Sequence, residues 1–278
     1  MKDFFKESFI EYFAVVPLSR CKVIKEYLLT KNGFDSRANV ITMLIPYRSD
    51  KAPLNLSVYA SVKDYHLFVD ELSVKLDEYM REKHPGAKYK LFADHSPIDE
   101  VHATCISGLG FIGDNGLLIN EKYSSFVFLA ECITDLSCEE LNMAYADVSE
   151  VKECLHCGAC ARACPSGCIP TAENKDSFNP KTMCLSAVTQ KKGELAPHEQ
   201  QMMLDCNTVW GCDICQNACP YTKNAKHTPI PFFNSDIITY LDKNALSLLD
   251  EESFKRRPFA WRGRAVIERN VTLFEERK

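Results

Sequence analysis

Two cysteine motifs in this chain have the spacing that binds iron–sulfur clusters. The first is Cys-x2-Cys-x2-Cys-x3-Cys-Pro over residues 154–165, and the second is Cys-x2-Cys-x3-Cys-Pro over residues 212–220. In the full motif, three closely spaced thiolates bind one [4Fe–4S] cube, and the fourth cysteine ligates the other cluster of a two-cluster protein. Zinc sites instead use paired Cys-x2-Cys groups. The spacing therefore predicts two [4Fe–4S] clusters.

The second motif lacks its first ligand. Its expected position is Val209, which cannot bind iron, so a cysteine from elsewhere must complete the second cluster. The spacing leaves Cys184 and Cys206 open as candidates. The remaining cysteines are scattered, and we expect them to act as small buried apolar side chains. They are Cys21, Cys105, Cys132, Cys138 and Cys168, together with whichever of the two candidates is not a ligand.

Composition and charge narrow the class of protein. The chain has 278 residues, 46% of them hydrophobic, and a net charge of −5, which disfavours a surface built as a whole for nucleic acid. No apolar run reaches the roughly 20 residues that cross a membrane. The N-terminus carries Asp3, Glu7 and Glu11 and does not resemble a secretory signal. We expect a cytoplasmic protein with no membrane partner, in a compartment that keeps its thiols reduced.

The pattern of apolar residues predicts an α+β protein. Before the cysteine motifs, residues 39–46 read as a strand and residues 60–83 as an amphipathic helix that ends at Pro85-Gly86. Shorter strands are predicted near residues 89–93, 117–120 and 126–133, a helix over 98–105, and a helical pattern returns over 236–256. The predicted domains are residues 1–150, 151–230 and 231–278.

Two further features have competing interpretations. Asp94 ends a predicted strand and enters a Ser-Pro turn, where it could be a helix cap or Asx turn, or a general acid. Residues 108–113 match G-x-G-x-x-G, but a dinucleotide loop follows a strand and opens a helix. Here a predicted helix precedes the loop and a strand follows it, which excludes NAD binding. A tight glycine turn and the close approach of a flat cofactor both stay open.

A basic stretch with aromatic residues lies near the C-terminus. Such a stretch can bind phosphates and bases, although a solvated helix end packed by its aromatic residues is the more frequent explanation. Its members are Lys255, Arg256, Arg257, Phe259, Trp261, Arg262 and Arg264.

Several of these segments together resemble the epoxyqueuosine reductases, cobalamin- and iron–sulfur-dependent enzymes that carry out the last step of queuosine formation in tRNA. The resemblance runs along most of the chain. Besides the two cysteine motifs, the segments that carry it are Lys63-Asp64-Tyr65-His66, Phe92-Ala93-Asp94-His95-Ser96-Pro97, Gly108 to Asn115, Phe126 to Glu131 and Met183-Cys184-Leu185-Ser186.

The resemblance implies a set of site residues. Cys184, rather than Cys206, becomes the eighth cluster ligand, and Asp94 becomes the proton donor to the substrate. The first cluster is then ligated by Cys154, Cys157, Cys160 and Cys219, and the second by Cys164, Cys184, Cys212 and Cys215. Cobalamin contacts are implied near Asp94, Leu118, Leu129, Ser186 and Asp213.

The resemblance also implies an architecture and partners. An α/β cobalamin-binding domain precedes a ferredoxin-like domain with two [4Fe–4S] clusters, and a helical tail packs on this core. An external low-potential electron donor feeds the clusters, and the substrate is the anticodon stem-loop of a tRNA. A corrin ring close to Asp94 is expected to remove water from the carboxyl group and raise its pKa.

The sequence departs from the family pattern at three points, and these leave the identity of the substrate open. Asp114 stands where the family usually has lysine, and Tyr221-Thr222 replaces Trp-Asn after the last cysteine and proline. The chain stops soon after Arg269-Asn270, where the family's helical-repeat extension is expected to begin. A cobalamin-dependent reductase of another small substrate and a two-cluster electron carrier therefore remain as alternatives.

Overall fold

The computed structural model describes residues 1–147, 152–171 and 181–275, and the chain forms two compact units. The first unit comprises Met1–Pro46 and Tyr65–Leu155, and the second comprises Tyr47–Asp64 and His156–Lys278. A short segment before the longest helix thus folds with the C-terminal half of the chain. The domain boundary predicted at residue 150 lies outside the described residues, and the three-domain division stays a prediction.

The first unit contains an antiparallel sheet and a separate hairpin. The four-stranded sheet has the order β1-β2-β6-β3, and β4 pairs with β5. The central strand β2 is buried along its whole length, which explains its continuous apolar sequence. The strands of the described residues are β1 (Phe13–Pro17), β2 (Asn39–Pro46), β3 (Tyr89–Phe92), β4 (Phe111–Ile112), β5 (Leu118–Ile119) and β6 (Val127–Thr134).

Most helices are short. The prediction over residues 60–83 becomes two helices, because the backbone is extended at Val62 and the long helix begins only at Tyr65. The α-helices of the described residues are α1 (Lys2–Glu7), α2 (Glu26–Lys31), α3 (Val58–Ser61), α4 (Tyr65–Lys83), α5 (Glu100–Ile106), α6 (Ala159–Ala163), α7 (Leu185–Thr189), α8 (Pro197–Asp205), α9 (Ile214–Ala218), α10 (Lys243–Ser247), α11 (Glu251–Lys255) and α12 (Arg264–Glu275).

Both faces of the sheet are covered within the first unit. On one face, α5 packs against β2 and β6, and Ala103 belongs to the same apolar cluster as Val40 and Ile133. On the other face, aromatic rings stack between helices and strands. The rings of Tyr65 and Phe128 lie 4.1 Å apart. The mixed α/β character that the sequence predicts is confirmed.

The second unit is built from short helices around two apolar clusters. Trp210 is fully buried at the centre of one cluster, together with Phe259 and Ile267. Leu185 of α7 and Met203 of α8 belong to the other. Within the described parts of the chain, no helix combines the length and the apolar character needed to cross a membrane.

Candidate functional site

Each of two short helices carries one cysteine of a different motif. Cys160 lies on α6, which begins after Gly158 in the left-handed conformation, and Cys215 lies on α9. These two helices pack against each other within the second unit. Cys184 directly precedes α7. Cys154 belongs to the first unit, whereas the other seven predicted ligands belong to the second.

Four thiols of the second unit influence one another electrostatically. Burial, followed by the negative charges of Cys184, Cys164, Asp213 and Cys160, raises the pKa of Cys215 to about 12. Burial also raises the pKa of Cys212 to about 12, and Cys215 and Cys184 add to it. Cys164, Cys184, Cys212 and Cys215 are the set predicted for the second cluster. Iron binds thiolates, so its positive charge can offset the repulsion that opposes ionisation of these thiols.

Two other thiols come close to this set. The Sγ atoms of Cys168 and Cys164 are 3.6 Å apart, and the charge of Cys164 contributes to a raised pKa of Cys206, after burial and Asp205. The motif spacing did not indicate Cys168, which follows Cys164, the last cysteine of the first motif, by four residues.

Asp94 lies just after β3, in a left-handed backbone conformation with a φ of +59°. Its carboxylate accepts hydrogen bonds from the Tyr65 hydroxyl and from Nε2 of His66, which is 3.4 Å from Oδ2. The side chain of Asp94 is 69% exposed. The hydrogen bond from His66, assisted by Tyr65, lowers the pKa of Asp94 below its ordinary value although burial acts against it. These hydrogen bonds therefore favour the ionised form of Asp94.

Two glutamates lie behind Asp94. Oε1 of Glu100 accepts the backbone N–H of Asp94 at 3.0 Å, and the Glu100 side chain is hydrogen-bonded to that of Glu131. Burial, followed by the charge of Asp94, raises the pKa of Glu100 to about 7. Burial and the charge of Glu100 raise the pKa of Glu131 well above its ordinary value.

The sequence missed this carboxyl pair, although one signal was visible. Glu131 interrupts an otherwise apolar strand between Ala130 and Cys132, and a carboxyl group on such a strand requires a polar partner or a proton. Tyr65 and His66 belong to a segment that carried the family resemblance. Their role beside Asp94 depends on a contact between the start of α4 and the end of β3 that no local pattern indicates.

The predicted cobalamin contacts are divided between the two units. In the first unit, Leu118 and Leu129 pack with Leu44 and Leu109 in one apolar cluster. In the second unit, Asp213 is 8% exposed and its carboxylate accepts the Val58 N–H at 2.6 Å.

Tyr59 interacts with both polar residues of the predicted cobalamin set, Ser186 and Asp213. Tyr59 is hydrogen-bonded to Ser186, and its pKa is raised by burial, with the charge of Asp213 adding to this effect. Burial raises the pKa of Asp213 itself to about 6. The residues present thus include apolar side chains in one unit and hydrogen-bonding groups in the other. A corrin ring with amide side chains can use both kinds of group.

The glycine-rich loop is a hairpin. β4 lies inside the motif and pairs antiparallel with β5, so the strand–turn–helix order of a dinucleotide site is absent here. A Cβ atom at Gly110 would lie 2.5 Å from the backbone oxygen of Ile119. Close packing within the hairpin is therefore enough to require glycine at that position.

Comparison with known proteins connects this geometry with a family. A family model described as a 4Fe-4S double cluster binding domain matches residues 153–222, which include all eight predicted ligands. The prediction of two clusters is confirmed at this level. The chain is 29% identical over 87% of its length to the epoxyqueuosine reductase of Leadbetterella byssophila, of which it covers 78%. It is 28% identical over 90% of its length to that of Listeria monocytogenes, of which it covers 67%.

The chain is a homologue of the epoxyqueuosine reductases. Its fold also matches a crystal structure of an epoxyqueuosine reductase with an epoxyqueuosine-modified tRNA stem loop. The match has a TM-score of 0.74 at 22% identity, and it covers 98% of this chain and 80% of that one. At this identity, the likeness to that epoxyqueuosine reductase concerns the fold alone.

Proposed function

We propose that this protein is a cobalamin- and iron–sulfur-dependent reductase that removes the epoxide oxygen of epoxyqueuosine in tRNA. The observation that carries the proposal is the arrangement around Asp94 in a homologue of epoxyqueuosine reductases. The residue that matches the family's proton donor is solvent-accessible, and it is oriented by hydrogen bonds from Tyr65 and His66.

The cofactors are assigned to residues of both units. The first [4Fe–4S] cluster is bound by Cys154, Cys157, Cys160 and Cys219, and the second by Cys164, Cys184, Cys212 and Cys215. Leu118 and Leu129 of the first unit, and Ser186 and Asp213 of the second, would contact cobalamin. When bound, cobalamin supplies a strongly reducing cobalt centre, and the clusters supply electrons from an external low-potential donor. In this assignment an α/β cobalamin-binding domain precedes a ferredoxin-like domain.

Asp94 holds and delivers the proton that the leaving oxygen needs. A substrate bound over this exposed carboxylate excludes water, and loss of water favours the neutral acid and raises its pKa. Tyr65 and His66 fix the direction of the carboxyl group, and the left-handed turn holds its backbone.

The tRNA partner and the cytoplasmic location belong to the same proposal. Trp261 is 61% exposed, and the guanidinium of Arg262 lies 3.7 Å from the centre of its ring. An exposed aromatic ring beside a cation is a suitable surface for an unpaired base. Arg257 has a structural role instead, because it is 2% exposed and forms an ion pair with Asp236.

The test is the reduction of an epoxyqueuosine-containing anticodon stem-loop by the full chain, reconstituted anaerobically with iron, sulfide and cobalamin. Asp94→Asn keeps the size of the side chain and removes its acid proton. We expect its turnover to fall by at least about a hundredfold, the low end of general-acid contributions. Cluster content and cobalamin binding, read by visible absorption, should stay unchanged. Asp70→Asn, at an exposed position on α4, is the matched control.

The outcomes separate the alternatives. If the wild-type protein binds cobalamin and ignores the stem-loop, a reductase of another small substrate replaces the proposal. If it binds both clusters but no cobalamin, an electron carrier replaces it. If Asp94→Asn turns over as fast as wild type, the proton donor is another residue.

A further inference from the structure

Glu131 is a carboxyl group in an apolar layer. It lies on β6, where its neighbours across the sheet are Thr42 and Phe92, and it is 1% exposed. Its Oε1 atom has no hydrogen-bond partner among the described residues. An ionised carboxylate in such a place is strongly disfavoured unless it is paired, so Glu131 carries a proton at neutral pH.

Glu100 connects this buried acid with the proposed site. Its side chain is hydrogen-bonded to that of Glu131, and its Oε1 accepts the N–H of Asp94 at 3.0 Å. Ser96 is also hydrogen-bonded to Glu131. Polar groups therefore lead from the middle of the sheet to the main-chain N–H of Asp94.

Below its first ionisation the pair holds two protons, and it can release one of them near neutral pH. Two carboxyl groups in contact cannot easily both ionise, and they titrate as a unit. The first ionisation belongs to the pair as a whole, and burial and the charge of Asp94 raise the pKa of its Glu100 member to about 7. The charge of Lys25 acts in the opposite direction on Glu100. The titratable groups that face the pair are Asp94, Lys25, Cys21 and Cys132.

The proposed reaction requires this proton. Removing an epoxide oxygen as water and leaving a carbon–carbon double bond consumes two electrons and two protons. Both carbon–oxygen bonds break, the electrons come from the external donor, and the oxygen leaves as water. Asp94 delivers a single proton and is then ionised. Its hydrogen bonds from Tyr65 and His66 favour that ionised form. Asp94 therefore has to be reprotonated during each turnover.

We propose that the Glu100–Glu131 pair stores the second proton of this reaction and that Glu100 passes it to Asp94. The pair then becomes singly ionised and recovers its proton from solvent after product leaves. Glu131 keeps the remaining proton at the buried end, and Glu100 is the member that accepts the main-chain N–H of Asp94. The inference rests on the proposed function for its chemistry, but storage of the proton is a property of the protein without substrate.

The first experiment measures storage without turnover. Infrared spectra of the purified full chain are recorded across pH 5–9 to follow the C=O stretch of protonated carboxylic acids. We expect a band that disappears with a midpoint near pH 7 in wild type, because the folded-state pKa of the pair is raised and the proton is held below it. This titrating band should be absent from Glu100→Gln and present in the exposed control Glu78→Gln. A wild-type spectrum with no such band overturns the proposal.

The second experiment measures delivery. The amide oxygen introduced by Glu100→Gln can still accept the Asp94 N–H, so the turn is preserved while proton exchange is lost. At pH 7 we expect stem-loop reduction to fall by about a hundredfold, in the range of proton-transfer contributions. In wild type the rate should fall as pH rises through about 7, and Glu100→Gln should lose this dependence. Rescue by Glu100→Asp would indicate a proton carrier rather than a spacer.

The two glutamate variants distinguish a failure of proton delivery from a failure of the proposed function. If Glu100→Gln does not fold, Glu131→Gln decides, because it retains a hydrogen-bonding group for Glu100 and should shift the infrared midpoint to lower pH. If wild type reduces the stem-loop and both variants match it at every pH, delivery is disproved while the proposed function stands. If wild type is inactive on the stem-loop, the proposed function fails, and the infrared titration alone decides whether the pair stores a proton.

Discussion

At the scale of single residues, two thiols outside the predicted ligand set interact with Cys164. They are Cys168, whose sulfur is 3.6 Å from that of Cys164, and Cys206. The spacing of the motifs left Cys184 and Cys206 open, and only the family resemblance favoured Cys184. The charge of Cys184 contributes to the raised pKa of both Cys212 and Cys215, which agrees with that preference.

Serine substitutions can test the eighth ligand directly. Cys184→Ser is expected to lose one cluster, because a hydroxyl is a poor substitute for thiolate on iron. Cys206→Ser and Cys168→Ser should keep both clusters, with about eight irons per chain by the two-cube count. Iron and sulfide analysis with EPR of the reduced, anaerobically reconstituted protein measures this. Loss of a cluster in Cys206→Ser but not in Cys184→Ser would reassign the ligand.

At the scale of elements, the segment before α9 depends on a glycine. Gly211 has a φ of +75°, its N–H donates to Oγ1 of Thr189, and it separates the buried Trp210 from Cys212. A Cβ atom there would overlap Oγ of Ser57. Both the backbone conformation and the lack of space therefore exclude a side chain.

Alanine substitutions at two glycines separate the cost of the left-handed backbone conformation from the cost of the missing space. Gly193 has a similar φ of +78° but open space around it, so Gly193→Ala should cost only the roughly 1–2 kcal/mol of a left-handed non-glycine residue. Gly211→Ala should cost a further ~1–3 kcal/mol from overpacking and should lower the occupancy of the second cluster. Urea unfolding of both variants, with iron analysis, measures the difference. Equal destabilisation would mean that Ser57 moves aside freely.

The elements also indicate what the sequence could predict. The strand over residues 39–46 and the end of the long helix before Pro85-Gly86 were predicted correctly, because continuous apolar character and helix breakers are local signals. β1 was missed, since five residues ending in proline show no periodicity. The contact that lowers the pKa of Asp94 was not predicted, because Tyr65 and His66 lie almost 30 residues earlier in the chain.

At the scale of the whole molecule, the two units are stabilised differently. The first has an extended four-stranded sheet covered by apolar clusters. In the second, the helices next to the cysteines, α6, α7 and α9, have only five residues each. Helices of that length are not stable on their own in water. We infer that metal binding contributes much of the free energy of folding around these helices, as it does in small metal-binding domains.

Removal of iron from the full chain tests this inference. After anaerobic chelation, we expect hydrogen exchange to accelerate strongly in peptides covering α6, α7 and α9, because thiolates that lose iron repel one another and protonated thiols cannot bridge the helices. Peptides covering β2 and β6 should keep their protection, since no predicted cluster ligand lies on either strand. Adding iron and sulfide back should restore the exchange pattern, which excludes irreversible damage. Uniform loss of protection in both units would mean that the clusters stabilise the whole chain as one cooperative structure.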